Sequence, residues 1–285
     1  MFSDTRYRCV LHSVRASNGA AAEVTDGANL VDGRPSTLCS IKWIGATSAD
    51  YMEIIVRVVP TEPGLSNPPE SRMFYIQGGA SLPPRTLAAM RAGSSLSTLN
   101  HVWLSTMDPL PNGRTGTWVT RPFLQGNAVE YFAFRIYNSA GGVPWITPGS
   151  YLQIGEIYAG PVIEWPASDL EIKVTDLSLT NEASDGTIRR VKRTPQRQVT
   201  VTIPPTSFDR AVSGTGGGTL QDFLYRLIAS DTVAIVGLPQ LRGVQDTALW
   251  RGTGFLGCLQ DSGTLKLNSA SKYAAPLTLT FKEAL

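Results

Sequence analysis

Two histidines, three cysteines and a scatter of carboxylates are the groups in this chain with chemistry to offer. His12 lies inside an apolar, strand-like run and His101 just before Val102–Trp103, so neither has a second imidazole close in sequence. That spacing excludes a zinc site built from sequence-local ligands, and a catalytic His–Asp pair would have to be assembled by the fold. Cys9, Cys39 and Cys258 are odd in number and far apart, which reads as buried free thiols in a chain folding in reducing cytoplasm. No GxSxG, HExxH or nucleotide-binding glycine pattern stands in a suitable context. The GTGGG run at 214–218 precedes a helix, where an anion is readily held, but the Lys-Ser/Thr of a phosphate cradle does not follow; a flexible loop is the better reading. Glu130, Glu156 and Glu164 are the carboxylates that a glycosidase reading would pair across a sugar cleft. Their places on or beside alternating strands fit solvent-facing carboxylates better. No residue is assigned a catalytic role, and the expectation is a protein that is not an enzyme.

Binding chemistry is better represented. The stretch RRVKRTPQR holds Arg189, Arg190, Lys192, Arg193 and Arg197. It lacks the aromatic platforms of a single-strand nucleic-acid site and leads straight into a strand. Arg189, Arg190, Arg193 and Arg197 are therefore expected to meet carboxylates, across a subunit interface or within the domain, through the planar fork of the guanidinium. Nucleic acid is not an expected partner. Trp145, in GGVPWITPG, is the aromatic best placed to stack on a sugar face, with a loop residue capping the core as the alternative.

These residues must be positioned mainly by strands. YMEIIVRVVP (51–60) sets Met52, Ile54, Val56 and Val58 on one face and Glu53 and Arg57 on the other. VEYFAFRIYNS (129–139) alternates likewise, with Tyr131, Ala133, Arg135 and Tyr137 opposite Phe132, Phe134 and Ile136. LPPRTLAAMRAG suggests a short helical turn after Pro84. One helix stands out over LQDFLYRLIAS, with Thr219 as N-cap, Asp222 at N3, and Leu220, Phe223, Leu224, Leu227 and Ile228 forming an apolar stripe. AIVGLP, TALWRGTGFLGCLQDSG and PLTLTFKEAL read as strands after it. The fold class is mainly β: a β-sandwich jelly roll over 1–165 and a small antiparallel β domain with one helix over 166–285.

The 285 residues are 42% hydrophobic and only 17% charged, with 27 glycines, 19 prolines and a net charge of +2. Low charge and many turn formers suit short strands in a subunit whose surface neighbours cover. No stretch approaches 18 apolar residues and no apolar leader opens the chain, so membrane insertion is not expected and folding is placed in a cytoplasm.

Two resemblances extend this reading. GANLVDGRPSTLC near the start, with YLQIGEIYAGP late in the first domain, resembles the discoidin or galactose-binding jelly roll; Asn29, Leu30, Asp32 and Gly33 match the early segment, and Gly155, Glu156 and Ile157 the late one. The resemblance implies a structural calcium near the Asp-Gly loop, with Asp26 and Asp32 as candidate ligands beside backbone carbonyls. No other cofactor is implied. Over 169–285, the order of IRRVKRTPQRQVTVTIPPTSF, a short amphipathic helix, VAIVGLP and a terminal strand resembles distal tail or minor tail (baseplate) proteins of tailed bacteriophages. This implies a virion structural protein, assembled in the host cytoplasm, with copies of itself and other tail proteins as partners in a ring. The jelly roll would face outward as an adaptor, with host-surface glycans as its ligand in the alternative reading of a carbohydrate-binding module.

Overall fold

The computed structural model describes residues 1–17, 19, 22–34, 36–45, 49–65, 73–78, 85–110, 114–120, 129–140, 143–144, 147–184, 186–213, 219–229, 232–237 and 247–284. The fold is mainly β with sandwich-like organisation, and every strand pairing described is antiparallel. Two compact units form: Met1–Ile163 with Ala234–Gly254, and Glu164–Val233 with Phe255–Leu285. The single cut expected at 165/166 is thereby corrected, because residues 234–254 return to the first unit. There the backbone of Val236 donates to the Met1 carbonyl at 3.0 Å, and Phe2 stands opposite Ile235.

Ten strands build the first unit's sandwich: β1 (Tyr7–Ala16), β2 (Ala22–Thr25), β3 (Cys39–Trp43), β4 (Tyr51–Pro60), β5 (Met73–Gly78), β6 (Thr86–Gly93), β7 (Asn100–Pro109), β8 (Thr115–Thr120), β9 (Tyr131–Tyr137) and β10 (Tyr151–Gly160). One sheet runs β1-β4-β9-β6-β7 and the other β8-β5-β10-β3-β2, joined where Asp108 and Pro109 of β7 meet Gly116 and Thr115 of β8. Period-two alternation decides what faces inward. On β4 and β9, Phe134 pairs with Ile54, Phe132 with Val56 and Ile136 with Met52, and all six are buried. The sheets meet at Cys9 of β1, whose Sγ donates to the Ala159 carbonyl of β10 at 2.9 Å and accepts its N–H at 3.2 Å. Burial pushes this thiol up to about 12. Cys9 and Cys39 are buried free thiols, and Cys258 is only half-buried.

The helical turn expected after Pro84 is instead β6. Ala88, Ala89 and Met90 are buried in succession, so both faces of that strand are covered, and a run of small residues fits such a position. A second correction concerns 247–253, expected as strand and found as a helix, α2 (Thr247–Thr253), with Trp250 buried and Arg251 ion-paired to Asp108.

The second unit holds β11 (Asp169–Thr175), β12 (Leu179–Glu182), β13 (Ile188–Val191), β14 (Gln196–Ile203), β15 (Gly254–Asp261), β16 (Leu277–Glu283) and the helix α1 (Leu220–Ala229). The sheet order is β15-β16-β14-β11. Val199, Val201 and Ile203 on β14 join Leu277, Leu279 and Phe281 on β16 in the core. The N-terminal cap of α1 forms as expected: the Asp222 N–H donates to Thr219 Oγ1 at 3.1 Å, and the Thr219 N–H to the Asp222 carboxylate at 3.4 Å. Its apolar stripe is narrower than expected, since Leu220, Phe223 and Leu227 are buried while Ile228 is 63% exposed. Among the described residues, no helix is long and apolar enough to cross a membrane.

Candidate functional site

The basic run of the second unit is split by strand register. Arg197 falls on the same parity as Val199, Val201 and Ile203, so its side chain enters the core. There Nε and Nη2 donate to the two oxygens of Glu283 at 3.0 and 2.6 Å, both residues are buried, and the guanidinium lies 5.4 Å from the Phe255 ring centroid. The expectation that Arg197 meets a neighbouring subunit is corrected: it neutralises a carboxylate of its own unit. Arg189 and Arg190 lie on β13 and are exposed, as is Arg193 just beyond it. Arg190 pairs with Asp176 at the surface, and the backbone N–H of Arg193 donates to Ser178 Oγ at 3.2 Å.

β12 and β13 form a two-stranded hairpin, with Leu179 opposite Val191 and Glu182 opposite Ile188. All eight strand residues are exposed, including Leu179 (48%), Ile188 (67%) and Val191 (57%). A two-stranded ribbon with no core behind it is marginal in water. Nearby in sequence, β11 ends its sheet's order and exposes Ile172 and Val174. Such a strand offers unpaired N–H and C=O groups beside aliphatic side chains. The register brings the three exposed arginines and these apolar groups onto one edge-and-hairpin segment, 169–193.

A second site lies in the first unit, where the sequence has its Asp-Gly loop. Leu30 is fully buried and anchors the loop, and Asn29 Nδ2 donates to the Leu38 carbonyl at 3.1 Å. Asp32 accepts from the Arg34 N–H and the Thr37 hydroxyl, each at 2.8 Å. Gly33 takes φ 73°, a conformation glycine accepts without strain. Across from it, a bulge in β10 between Ile154 and Glu156 aims the Glu156 carboxylate inward. The backbone N–H groups of Gly33 and Arg34 donate to it. Burial, reinforced by the charge of Asp32, raises the Glu156 carboxyl well above its ordinary range despite those donors. Its Oε2 is buried and has no hydrogen-bond partner among the described residues.

An orphaned carboxylate oxygen beside a second carboxylate fits a hard, oxygen-seeking cation. Glu156 and Asp32 are the side chains that would hold it, with loop carbonyls completing the shell, and the metal would supply structural charge neutralisation. Asp26, the other expected ligand, stands at φ 55° before the short helix 27–31, and its charge acts on Cys39. Glu156 was legible in sequence as part of the late motif, but its inward aim depends on the bulge.

The other candidates are not gathered into one place. Glu130 pairs with Arg57, while Glu156 belongs to the other sheet and is enclosed under the Asp-Gly loop. Glu164 belongs to the second unit. His12 is exposed and lies edge-on to Tyr131, with ring centroids 5.5 Å apart. Trp145 lies outside the described residues. No group of three or more His, Cys, Asp or Glu side chains able to hold a metal occurs among the described residues.

No family model matches the chain, and no curated protein matches it. Among solved structures, the K1 cleaved adhesin domain of Lys-gingipain from Porphyromonas gingivalis W83 aligns with 57% of this chain and 94% of that one, at 14% identity and a TM-score of 0.31. A likeness at that level carries no functional argument for this chain.

Proposed function

We propose that the chain is a structural subunit of a larger assembly of the phage tail-tip or baseplate kind. The second unit docks on copies of itself or on other tail proteins, and the β-sandwich is presented as an adaptor or attachment domain. The observation that carries this reading is the 169–193 segment, where Ile172, Val174, Leu179, Ile188 and Val191 stand in solvent on an edge strand and a coreless hairpin. A monomer gains nothing from ordering such a ribbon, whereas a neighbouring subunit would bury it and satisfy its edge. Arg189 and Arg193 are exposed there and pair with no acidic side chain among the described residues, and Arg190 is held by a surface pair that a competing carboxylate would displace at small cost. On this reading the protein assembles in the cytoplasm of the host cell and works in the virion tail.

The test is the native mass of the full chain by light scattering over a concentration series, alone and co-expressed with tail proteins. The expected result is a discrete oligomer or a defined heteromeric complex, lost in the Ile188→Lys, Val191→Lys variant while its circular dichroism is unchanged. A wild-type protein that stays monomeric under every condition refutes the reading, as does an assembly indifferent to the double substitution.

A further inference from the structure

The outer face of the β1-β4-β9-β6-β7 sheet carries a charge cluster that neither the docking edge nor the Glu156 cradle uses. Register brings it together: Arg15 on β1 and Arg135 on β9 both stand opposite Glu53 on β4, and Arg91 on β6 stands opposite Ala133, two residues along β9. Glu53 is 1% exposed and accepts from all three, Arg15 Nε at 2.7 Å, Arg135 Nη2 at 3.0 Å and Arg91 Nη1 at 3.4 Å. One carboxylate neutralises one of three guanidiniums, so a double positive charge is left on this face. Glu130, farther along these strands, is engaged by Arg57.

Holding three strands together needs one guanidinium, or at most two. Each further one adds like-charge repulsion and loses hydration. The arginines are not saturated either. Arg135 is largely buried and its Nε has no hydrogen-bond partner among the described residues, while Arg15 remains 47% exposed; Arg91, 25% exposed, spends Nη2 on the Leu99 carbonyl at 2.5 Å, and Arg135 also bonds the Tyr137 side chain. Beside them stand two half-buried aromatic rings. Tyr51 lies under the Arg135 guanidinium at 3.9 Å, and Tyr137 meets Tyr51 edge-on at 5.8 Å. Forked donors with capacity left on Arg15 and on Arg135 Nε, beside amphipathic rings, match a ligand that carries both a carboxylate and a saccharide body.

We propose that this face binds an acidic saccharide, its carboxylate received by Arg15, Arg91 and Arg135 and its ring packed against Tyr137. Glu53 keeps the three guanidiniums aligned in the free protein. The proposal deepens the reading of the sandwich as an attachment domain and rests on that part of it.

The test uses the full chain and titration calorimetry against a panel of uronate and sialate oligosaccharides, each paired with its methyl ester, plus tetraglutamate and inorganic sulfate. At least one acidic saccharide is expected to bind, its methyl ester to bind about tenfold or more weakly, and tetraglutamate and sulfate not to compete at equal concentration. Arg15→Gln is expected to weaken binding about tenfold while circular dichroism at 25 °C shows the fold retained, and Tyr137→Leu to weaken the saccharide alone. Binding that survives esterification, equal binding of tetraglutamate or sulfate, or no binding across the panel overturns the proposal. Binding without any assembly would sink the docking function and leave this site standing; assembly without binding would sink only the site.

Discussion

Arg197 and Glu283 allow the core and interface roles of the basic run to be separated by one pair of substitutions. Glu283→Gln preserves shape but removes the charge that a buried guanidinium requires. With both side chains buried and two direct bonds of 2.6 and 3.0 Å broken or weakened, removal of one partner is expected to cost about 3–5 kcal/mol. The glutamine retains one acceptor, which favours the lower figure. For a unit of roughly 100 residues, about 3 kcal/mol lowers the thermal midpoint by about 12–24 °C. Replacing both side chains by apolar ones, Arg197→Met with Glu283→Leu, removes the stranded charge and is expected to restore most of that loss. The Arg197 N–H, which donates to Glu283 Oε2 at 3.2 Å, then loses its acceptor, so a deficit of about 1 kcal/mol should persist. Urea titration of the full chain, followed by tryptophan fluorescence and circular dichroism, measures all three variants. A single substitution costing under about 1 kcal/mol, or one that alters native mass while leaving stability intact, would refute the buried-pair account and return Arg197 to the interface.

Two further outcomes follow from the first unit. Burial opposes the ionised form of Glu53, but the hydrogen bond from Arg15 and the charge of Arg135 outweigh it and hold the carboxyl below its ordinary value of 4.5. A depressed folded-state pKa stabilises above the unfolded value and is lost as pH falls through the folded one, so the sandwich's midpoint should drop below about pH 4.5 with a component that Glu53→Gln lacks. An unchanged acid limb in that variant would count against the network. Calcium at about 100 times its dissociation constant is expected to stabilise the wild-type sandwich by about 2.7 kcal/mol and to do nothing for Glu156→Gln or Asp32→Asn. A wild-type midpoint indifferent to millimolar calcium and to chelator removes the cation from the Glu156 cradle.

The parts of this fold legible in sequence are those whose two faces differ chemically. β4 and β9 announce themselves because Ile54, Val56, Phe132 and Phe134 alternate with Glu53, Arg57, Tyr131 and Arg135, and that same alternation carries the outer-face cluster. β6 was obscured because Ala88 and Ala89 on adjacent parities give no contrast to read, and two prolines stand just before it. The helix 247–253 was obscured by Leu249, Arg251 and Phe255, which mimic strand alternation, although Trp250 is the residue buried there. The return of 234–254 to the first unit leaves no local trace, since it depends on a terminal strand more than 230 residues away. Arg197 carried a usable signal in its parity with Val199 and Val201, and so did Glu283 with Phe281.

That distinction bears on why the two units treat their surfaces so differently. In the first, polar side chains on the outer sheet face are drawn into pairs and networks, and Ile55, Ala133 and Leu99 close a small apolar patch over the same strands. In the second, β11, β12 and β13 leave aliphatic side chains bare while their charged residues alternate between them: Glu171 and Lys173 flank Ile172, and Arg189 and Arg190 follow Ile188. Alternating charge is what keeps an exposed edge from pairing with any strand it meets, yet it leaves the backbone groups free for one whose charges match. Bare aliphatics alone would describe a liability. Bare aliphatics spaced by arginine, glutamate and lysine describe an edge reserved for a specific neighbour, and that is the physical ground on which an assembly subunit is preferred here to a free-standing binding module.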